Sequence, residues 1–426
     1  MLLIGCNVIS AQDGAYSSYS PYSIFGMGDI YRQGTAYNLS MGGVGIASRS
    51  HKFINYINPA AITARDTLSF MMDFGLQGEG KLYRQGSVKS ASNLMNISNV
   101  ALTVPIYRKS AVVAGISPYS STGYDFSHDI TDPSLIGHVG NINYRSYGDG
   151  GLYQVFVGGA ATFWNRLSAG AQFLYYFGNI DKSTIMNFSE SSYRDVYSGY
   201  TMSLNAIGGN FGLQYEQALP SGLSLTVGAT YKTSSRLKGY ITDYKYATVS
   251  SVTDTLKYVT DTLSHGSNVR MASEYGVGIS LRKGDRWRAE FDYTRSDWRN
   301  SNLENVTGLA NVGESRFSTT YSQSFRAGFE IVPNPNDIRY YMRRCSYRGG
   351  IYYNRDYYKL DGRDVSSFGI TFGMTFPVFR WFNGVSVGVD LGQRGVDSGT
   401  MIRERYAKIF IGFNIHDIWF QKPKYE

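Results

Sequence analysis

The chain has 426 residues, of which 15% are aromatic and only 17% charged, with 48 Gly against 10 Pro and a net charge of +8. This composition favours strands and turns, and the length fits either several ordinary domains or one large β domain. Beyond the N-terminus no apolar run is long enough for a membrane-spanning helix, so a helical membrane protein is excluded. A transmembrane β-barrel stays open, because its strands alternate apolar and polar residues.

The first residues are typical of a secretory signal peptide. An apolar run ends in small residues at Ala11, which predicts cleavage there and a signal peptide over residues 1–11. A lipobox ending at Cys6 is the alternative, and it would place a lipid on that residue. Cys6 and Cys345 are the two cysteines of the chain, so neither a disulfide framework nor a zinc cluster is expected. An exported chain is not expected to bind nucleic acid, despite its positive charge.

A glycine-rich stretch follows in the segment 12–66. It contains Gly42, Gly43 and Gly45 and leads to Asn58-Pro59-Ala60. A phosphate-binding loop would need a strand before the glycines and a helix after them, and the sequence offers neither. The glycines therefore indicate backbone that packs tightly against something else.

Period-2 alternation recurs from residue 67 to residue 416. In GLSLTVGATYK, the residues Leu223, Leu225 and Val227 share an apolar face. About fourteen strand candidates alternate between short turns and long polar loops, and the loops fall near 78–93, 122–145, 180–198, 240–270, 299–315, 355–363 and 394–404. Tryptophans lie near the short turns. These features predict an all-β antiparallel transmembrane barrel over 67–416 with a short periplasmic tail over 417–426. A soluble β-propeller or adhesin is the alternative, but it would not need the uncharged outer face. Charges occupy the opposite, inward register, at Arg288, Glu290, Asp292, Arg326 and Glu330.

The order of signal, small-residue run, Asn58-Pro59-Ala60 and first strand resembles the FadL-like family of outer-membrane transporters for long-chain fatty acids and other hydrophobic compounds. SPYSIFGMGD, residues 20–29, resembles the lead-in of Bacteroidota members. The resemblance implies that residues 12–66 form a plug, or hatch, in the lumen of the barrel. It also implies transport of a hydrophobic small molecule, a fatty acid or similar, with lateral release through a gap in the third strand.

Residues Gly115 and Pro118 are the candidates for that lateral opening, because proline cannot donate to a strand ladder. The alternative is a proline at the outer end of the strand without any gap. A second irregularity, at Gly208 and Gly209, predicts a β-bulge, because the apolar register changes phase there.

Basic residues gather at the predicted periplasmic rim, notably Arg282, Lys283, Arg286, Arg343 and Arg344. They are expected to contact membrane lipids or an acidic periplasmic partner, and the tail over 417–426 is a second candidate contact with another subunit. Lipopolysaccharide is the expected lipid partner at the opposite, outer face. Some FadL-like barrels of Bacteroidota serve in larger outer-membrane assemblies, for secretion or barrel assembly, so an accessory subunit is the alternative function. No enzyme activity, metal or cofactor is expected, because no histidine is spaced to activate a nucleophile.

Overall fold

The structure is a computed structural model, and its described residues are 19–64, 69–107, 109–130, 133–134, 140–190, 192–249, 252–263, 268–306, 308–309, 315–378, 383–399 and 401–418. The predicted signal peptide and Cys6 lie outside this part of the chain. Most of the predicted tail, from residue 419 onward, lies outside it as well.

Fourteen antiparallel strands form one closed barrel, as the alternating pattern predicted. The barrel closes because its first strand pairs with its last, from Ser69 with Ile418 to Arg84 with Arg403. In chain order the strands are β1 Ser69–Gln85, β2 Val88–Tyr107, β3 Ser110–Ser121, β4 Ile142–Phe163, β5 Leu167–Phe188, β6 Asp195–Leu219, β7 Leu223–Lys232, β8 Glu274–Lys283, β9 Trp287–Asp297, β10 Tyr321–Ile331, β11 Ser346–Leu360, β12 Arg363–Pro377, β13 Gly384–Arg394 and β14 Arg403–Ile418. The predicted fold class is confirmed.

The outer surface of the barrel carries an apolar band between two aromatic belts. At the short-turn end Trp287 stacks on Phe329. At the long-loop end the ring centroids of Tyr231 and Tyr275 are 5.0 Å apart. Outward residues between the belts are apolar and exposed, for example Ile279. This is the surface of a bacterial outer-membrane barrel, whose short turns face the periplasm.

Several segments predicted as long loops are strands in the structure. The region 78–93 contains the ends of β1 and β2 joined by a tight turn, and β5 and β6 fill most of 180–198. The region 240–270 contains a hairpin, Lys238–Val249 with Val252–Thr262, which extends the sheet from β6. These strands continue beyond the apolar band, where both faces are polar, so no apolar alternation marked them in the sequence.

Residues 19–64 lie inside the barrel. They form a 3-10 helix Pro21–Ile24, a two-residue strand Asp29–Ile30, a short helix α1 Ala36–Leu39 and a second 3-10 helix Pro59–Ala64. This segment, called the plug below, begins at the long-loop end and descends to the short-turn end before entering β1. A second short helix, α2 Tyr341–Arg344, lies in the connection between β10 and β11. Among the described residues, no helix combines the length and the apolarity that a bilayer crossing requires.

The predicted bulge at Gly208 and Gly209 is wrong. These residues pair in unbroken register with Leu174 and Phe173 of β5. The apparent change of phase has another cause: in β6, Leu204 and its even-numbered neighbours face the lumen above, whereas the odd-numbered Phe211, Leu213 and Tyr215 face the lipid below. Along its other edge, β6 pairs with β7 below these glycines and with the 238–262 hairpin above them.

Candidate functional site: the plugged lumen

The glycine-rich stretch of the plug lies in close contact with the barrel wall. Gly42 and Gly43 have φ of +75° and +82°, the left-handed region that favours glycine. The Gly42 amide donates to Thr371 Oγ1 at 2.8 Å. A Cβ atom on Gly350 of β11 would lie 2.3 Å from the Gly42 nitrogen, and one on Gly228 of β7 would lie 2.2 Å from the Ile46 carbonyl oxygen. Glycines on both sides therefore permit the close approach.

The Asn58-Pro59-Ala60 turn also contacts the wall. Asn58 Nδ2 donates to the Ile46 carbonyl within the plug at 2.7 Å and to the Leu213 carbonyl of β6 at 3.2 Å. Its Oδ1 accepts from the Ala60 amide at 3.0 Å. Pro59 lies against Gly170 of β5, where a Cβ would come within 2.6 Å of the proline carbonyl carbon. This turn fixes the lower end of the plug.

The charged inward register of β9 binds the plug backbone. Asp292 Oδ2 accepts from the amides of Gly45 and Ile46 at 2.6 and 2.9 Å. Arg288 donates to the Tyr37 hydroxyl at 3.1 Å and to the Arg49 carbonyl at 2.9 Å. All these groups are buried, so the carboxylate and the guanidinium are held by the plug and not by water.

The charged residues of β10 contribute to the same contact. Glu330 Oε2 accepts from the Tyr37 hydroxyl at 2.6 Å, and Arg326 donates to the Gly43 carbonyl at 3.2 Å. From the plug side, Arg49 forms an ion pair with Glu216 of β6 at 3.0 Å. Tyr37 and Arg49 were missed by the sequence reasoning. Their position on either side of the small-residue run 40–48 was the available signal.

Above this contact lies a chamber of about 270 Å³ with charged walls. Two ion pairs join the plug to the wall, Arg32–Asp390 at 2.6 Å and Asp29–Arg394 at 2.7 Å. Two more join neighbouring wall strands, Lys408–Glu79 at 2.8 Å and Lys232–Glu274 at 2.8 Å. Such a lining suits water and polar groups and does not suit an acyl chain.

An apolar cap closes the chamber on the long-loop side. Phe25 of the plug stacks on Phe317 from the loop between β9 and β10, with ring centroids 6.0 Å apart. The Gly26 amide donates to the Leu309 carbonyl of the same loop at 2.8 Å. Tyr22 donates to the Ile402 carbonyl at 2.6 Å. The plug and this loop together cover the outer end of the lumen.

The ladder between β2 and β3 stops before its upper end. It runs from Tyr107–Ser110 to Val100–Ile116, and the described residues 88–99 of β2 pair with β1 alone. Above Pro118, which lies in a register shift against β4, the plug strand Asp29–Ile30 pairs with β3 instead.

A cavity of about 960 Å³ lies at this place, and its lining includes Leu39, Met95, Ile97, Ile116, Pro118 and Tyr153. Gly115 faces inward next to Phe156, one residue before the last pair of the ladder. The strand pairing does not test whether a ligand passes between β2 and β3. The lateral opening at Gly115 and Pro118 therefore stays a prediction.

The predicted basic rim divides into two groups. Lys283 and Arg286 are exposed in the turn between β8 and β9, and Arg343 and Arg344 are exposed in α2. Arg282 belongs elsewhere, because its guanidinium turns toward the lumen and forms an ion pair with Glu216 at 2.6 Å. Arg282 shares the inward-facing alternation of the even-numbered residues of β8, and this was the signal in the sequence for its inward position.

Comparison with solved structures shows the same fold at low identity. The Ralstonia pickettii toluene transporter TbuX is 13% identical, with a TM-score of 0.58 over 90% of this chain and 98% of that chain. A Pseudomonas aeruginosa FadL homologue is 10% identical, with a TM-score of 0.58 over 92% and 99%. The Pseudomonas putida toluene transporter TodX is 15% identical, with a TM-score of 0.57 over 92% and 100%.

No curated protein matches the sequence. A family model described as BamG matches residues 1–426, the whole of the chain. The chain belongs to the BamG family.

Proposed function

We propose that this protein is an accessory barrel in a larger outer-membrane complex, for protein secretion or barrel assembly, and that its lumen is not a route for hydrophobic molecules. The observation that carries the proposal is the set of buried hydrogen bonds between the plug and the wall, with Asp292 and Arg288 at its centre. A barrel that transports needs a plug that moves, whereas a barrel that supports a complex needs one that stays.

The energetics of the plug contact favour a fixed plug. A hydrogen bond to a charged group contributes about 1.5–3 kcal/mol, and a buried charge left without its partner costs more. Withdrawing the plug would separate Asp292 from two backbone amides, and Glu330 from the Tyr37 hydroxyl. Water can replace these contacts only if it first reaches groups that are now buried between the plug and the wall.

The lining of the lumen supports the same proposal. A fatty acid that crossed the lumen from end to end would have to pass the charged chamber bounded by Arg32, Asp390 and Arg394, where its chain would displace water or polar groups without replacing their contacts. The closed state is therefore stable for reasons that do not depend on the identity of any ligand.

A second candidate function is transport of a hydrophobic small molecule, a fatty acid or similar, with lateral release. It is favoured by the 960 Å³ cavity at the unpaired edge of β2, whose lining includes Met95, Ile97 and Ile116. It is also favoured by the fold, which is shared with proteins described as toluene transporters. In that case a ligand would pass from the cavity to the outer leaflet without crossing the charged chamber.

The test is extraction of the full-length protein from its native outer membrane in a mild detergent. Its particle size is then measured, and everything that co-purifies, lipids included, is identified by mass spectrometry. A stoichiometric complex with no fatty acid in the barrel supports the accessory subunit. A monomer that carries a fatty acid or another hydrophobic ligand overturns it and supports transport.

A further inference from the structure

The connection between β10 and β11 stands out at the periplasmic end of the barrel. Its residues 333–345, called the Arg–Tyr loop below, include α2 and form the longest connection that the described chain has at this end. The Trp287–Phe329 pair of the aromatic belt lies on the strands before it. The loop therefore begins beyond the apolar band and extends away from it.

The Arg–Tyr loop is held in one conformation by its own hydrogen bonds. The Asn334 amide donates to the Arg343 carbonyl at 2.8 Å, which brings the two ends of the loop together. Asp337 Oδ1 accepts from the amides of Arg339 and Tyr340 at 2.9 and 2.8 Å. Compact loops of this kind are often functional, and a loop that is already ordered loses little entropy when it binds.

The side chains that this loop presents are those that dominate protein interfaces. Ile338 is 100% exposed, and Tyr340 and Met342 are about half exposed. The guanidinium of Arg343 lies 4.7 Å from the centroid of the Tyr340 ring, and that of Arg344 lies 5.2 Å from the Tyr341 ring. Tyrosine, arginine and methionine are enriched in interfaces and among the residues that contribute most to affinity.

The charge of the loop points to the kind of partner. The loop contains three arginines and a single carboxylate, Asp337, which is already bound by backbone amides and by Arg343 at 3.4 Å. Among the described residues no ion pair involves Arg339 or Arg344. The basic turn between β8 and β9 is adjacent, because the Val332 amide donates to the Arg286 carbonyl at 2.7 Å. The surface is therefore complementary to carboxylates.

We propose that the Arg–Tyr loop is the docking site for an acidic segment of a periplasmic protein, with Asp or Glu side chains facing Arg339 and Arg344 and an apolar side chain facing Ile338. This inference rests on the proposed function, because it names the contact through which an accessory barrel joins its complex. Anionic lipid headgroups are the other possible source of negative charge, and the experiment separates them from a protein.

The test uses the full-length protein expressed in its own cells with a photo-crosslinking amino acid at position 338. A matched probe at Val252, exposed in the hairpin at the opposite end of the barrel, is the control. After irradiation, adducts are mapped by mass spectrometry. We expect the probe at position 338 to crosslink to one periplasmic protein, within a peptide rich in Asp and Glu, and we expect no such adduct at position 252. A phospholipid as the sole adduct at position 338 overturns it.

Charge reversal provides the second arm. The double variant R339E/R344E should reduce the adduct at position 338 about tenfold, because opposite charges across the interface become like charges. R236E/R270E, a double variant of exposed arginines at the long-loop end, should leave it unchanged. Both variants should retain the heat-modifiable migration in SDS gels of a folded barrel.

The two proposals fail in different ways. If the wild-type protein purifies in a complex and R339E/R344E gives an unchanged adduct, the docking site is wrong and the accessory role stands. If the wild-type protein purifies as a monomer carrying a hydrophobic ligand, the accessory role fails, and the docking site fails with it.

Discussion

Two neighbouring glycines of β11 allow the contact with the plug to be tested at the level of a single methyl group. Gly350 faces the plug, and a Cβ on it would lie 2.3 Å from the Gly42 nitrogen. Gly349 faces the opposite side, and a Cβ on it would meet nothing nearer than 3.8 Å. We expect Gly350→Ala to destabilise the barrel by about 1–3 kcal/mol, since the wall and the plug cannot both keep their positions.

The measurement is the urea midpoint of unfolding in detergent, together with limited proteolysis of the plug. Gly349→Ala should resemble the wild type in both assays. Equal effects of the two variants would mean that the methyl group acts through the strand and not through the plug.

Asp292 provides a second test, because it binds the backbone of the glycine-rich stretch directly. Removing its carboxylate in Asp292→Ala leaves the amides of Gly45 and Ile46 buried without an acceptor, at a cost of about 1–3 kcal/mol. We expect faster hydrogen exchange over residues 44–47, measured by mass spectrometry. Asp297→Ala, at an exposed ion pair on the same strand, should leave that exchange unchanged. Unchanged exchange in Asp292→Ala would show that the plug is held elsewhere.

An ion pair at the periplasmic end makes a small contribution that depends on pH. Lys52 Nζ lies 2.9 Å from Asp285 Oδ2, and although partial burial acts in the opposite direction, the lysine holds the pKa of Asp285 below its usual range. A lowered pKa in the folded state means that the contribution is complete above the unfolded pKa of about 4 and is lost as pH falls through the lower, folded value.

The difference in unfolding free energy between the wild type and Lys52→Ala should therefore be below about 1 kcal/mol at neutral pH, because the pair is partly exposed, and should vanish at low pH. Parallel urea titrations at neutral and acidic pH measure it. A difference that grows as the pH falls would contradict the assignment.

At this scale the sequence predicted which residues face inward but not what they bind. Alternation placed Arg288, Asp292 and Arg326 on the inner face, and the structure confirms that position. Their partners are backbone groups of the plug, more than two hundred residues away in sequence. Local patterns contain no information about such contacts.

Among the described barrel strands, the upper half of β2 has no neighbouring strand along one of its edges. Residues 88–99 pair with β1 on one side, whereas the described strand β5 is paired on both sides over most of its length. Alternate amides of β2 therefore point toward the gap. We expect these amides to exchange rapidly in peptides covering 88–97, while peptides covering 170–185 of β5 stay protected. Uniform protection of both segments would mean that the gap is closed in the membrane.

Strands were predictable where lipid touches them and unpredictable where it does not. Inside the apolar band each outward residue must be apolar, so alternation revealed all fourteen strands. Above the band, the ends of β1, β2, β5 and β6 and the 238–262 hairpin have no apolar outer face, so they read as polar loops. The wrong bulge at Gly208 and Gly209 has the same origin, because β6 changes there from apolar inward residues to apolar outward residues.

For the whole molecule, closure of the lumen depends on the plug and not on the hairpin outside the barrel. Deleting residues 19–64 removes the groups that fill the lumen but leaves the wall with its ladder intact. We expect the truncated barrel to give a steady ion conductance in a planar bilayer, where the full chain gives none. Deleting residues 239–261 should leave the barrel non-conducting, since the described part of this hairpin pairs with the barrel through β6, above the apolar band. A conducting full-length chain would contradict the closed lumen.

The closed barrel and a plug in its lumen could be predicted for the whole molecule, the first from alternation and the second from the resemblance to a known family. The charged chamber and the cap could not. They are formed where Arg32, Asp390 and Arg394 meet, and where Phe25 meets Phe317, each from a distant part of the sequence. Which face of a barrel is charged can be predicted from a period of two, but whether those charges leave a path depends on how they pair in three dimensions.

The path of the plug also sets an order of events when the barrel enters the membrane. Its described residues begin beside Ile402 at the outer end and descend through the lumen to β1. Once β1 and β14 had joined, this segment would have to be threaded upward through a narrow interior lined by charged side chains. We therefore expect the wall to close around a plug segment that is already in place, with the seam between the first and last strands closing last.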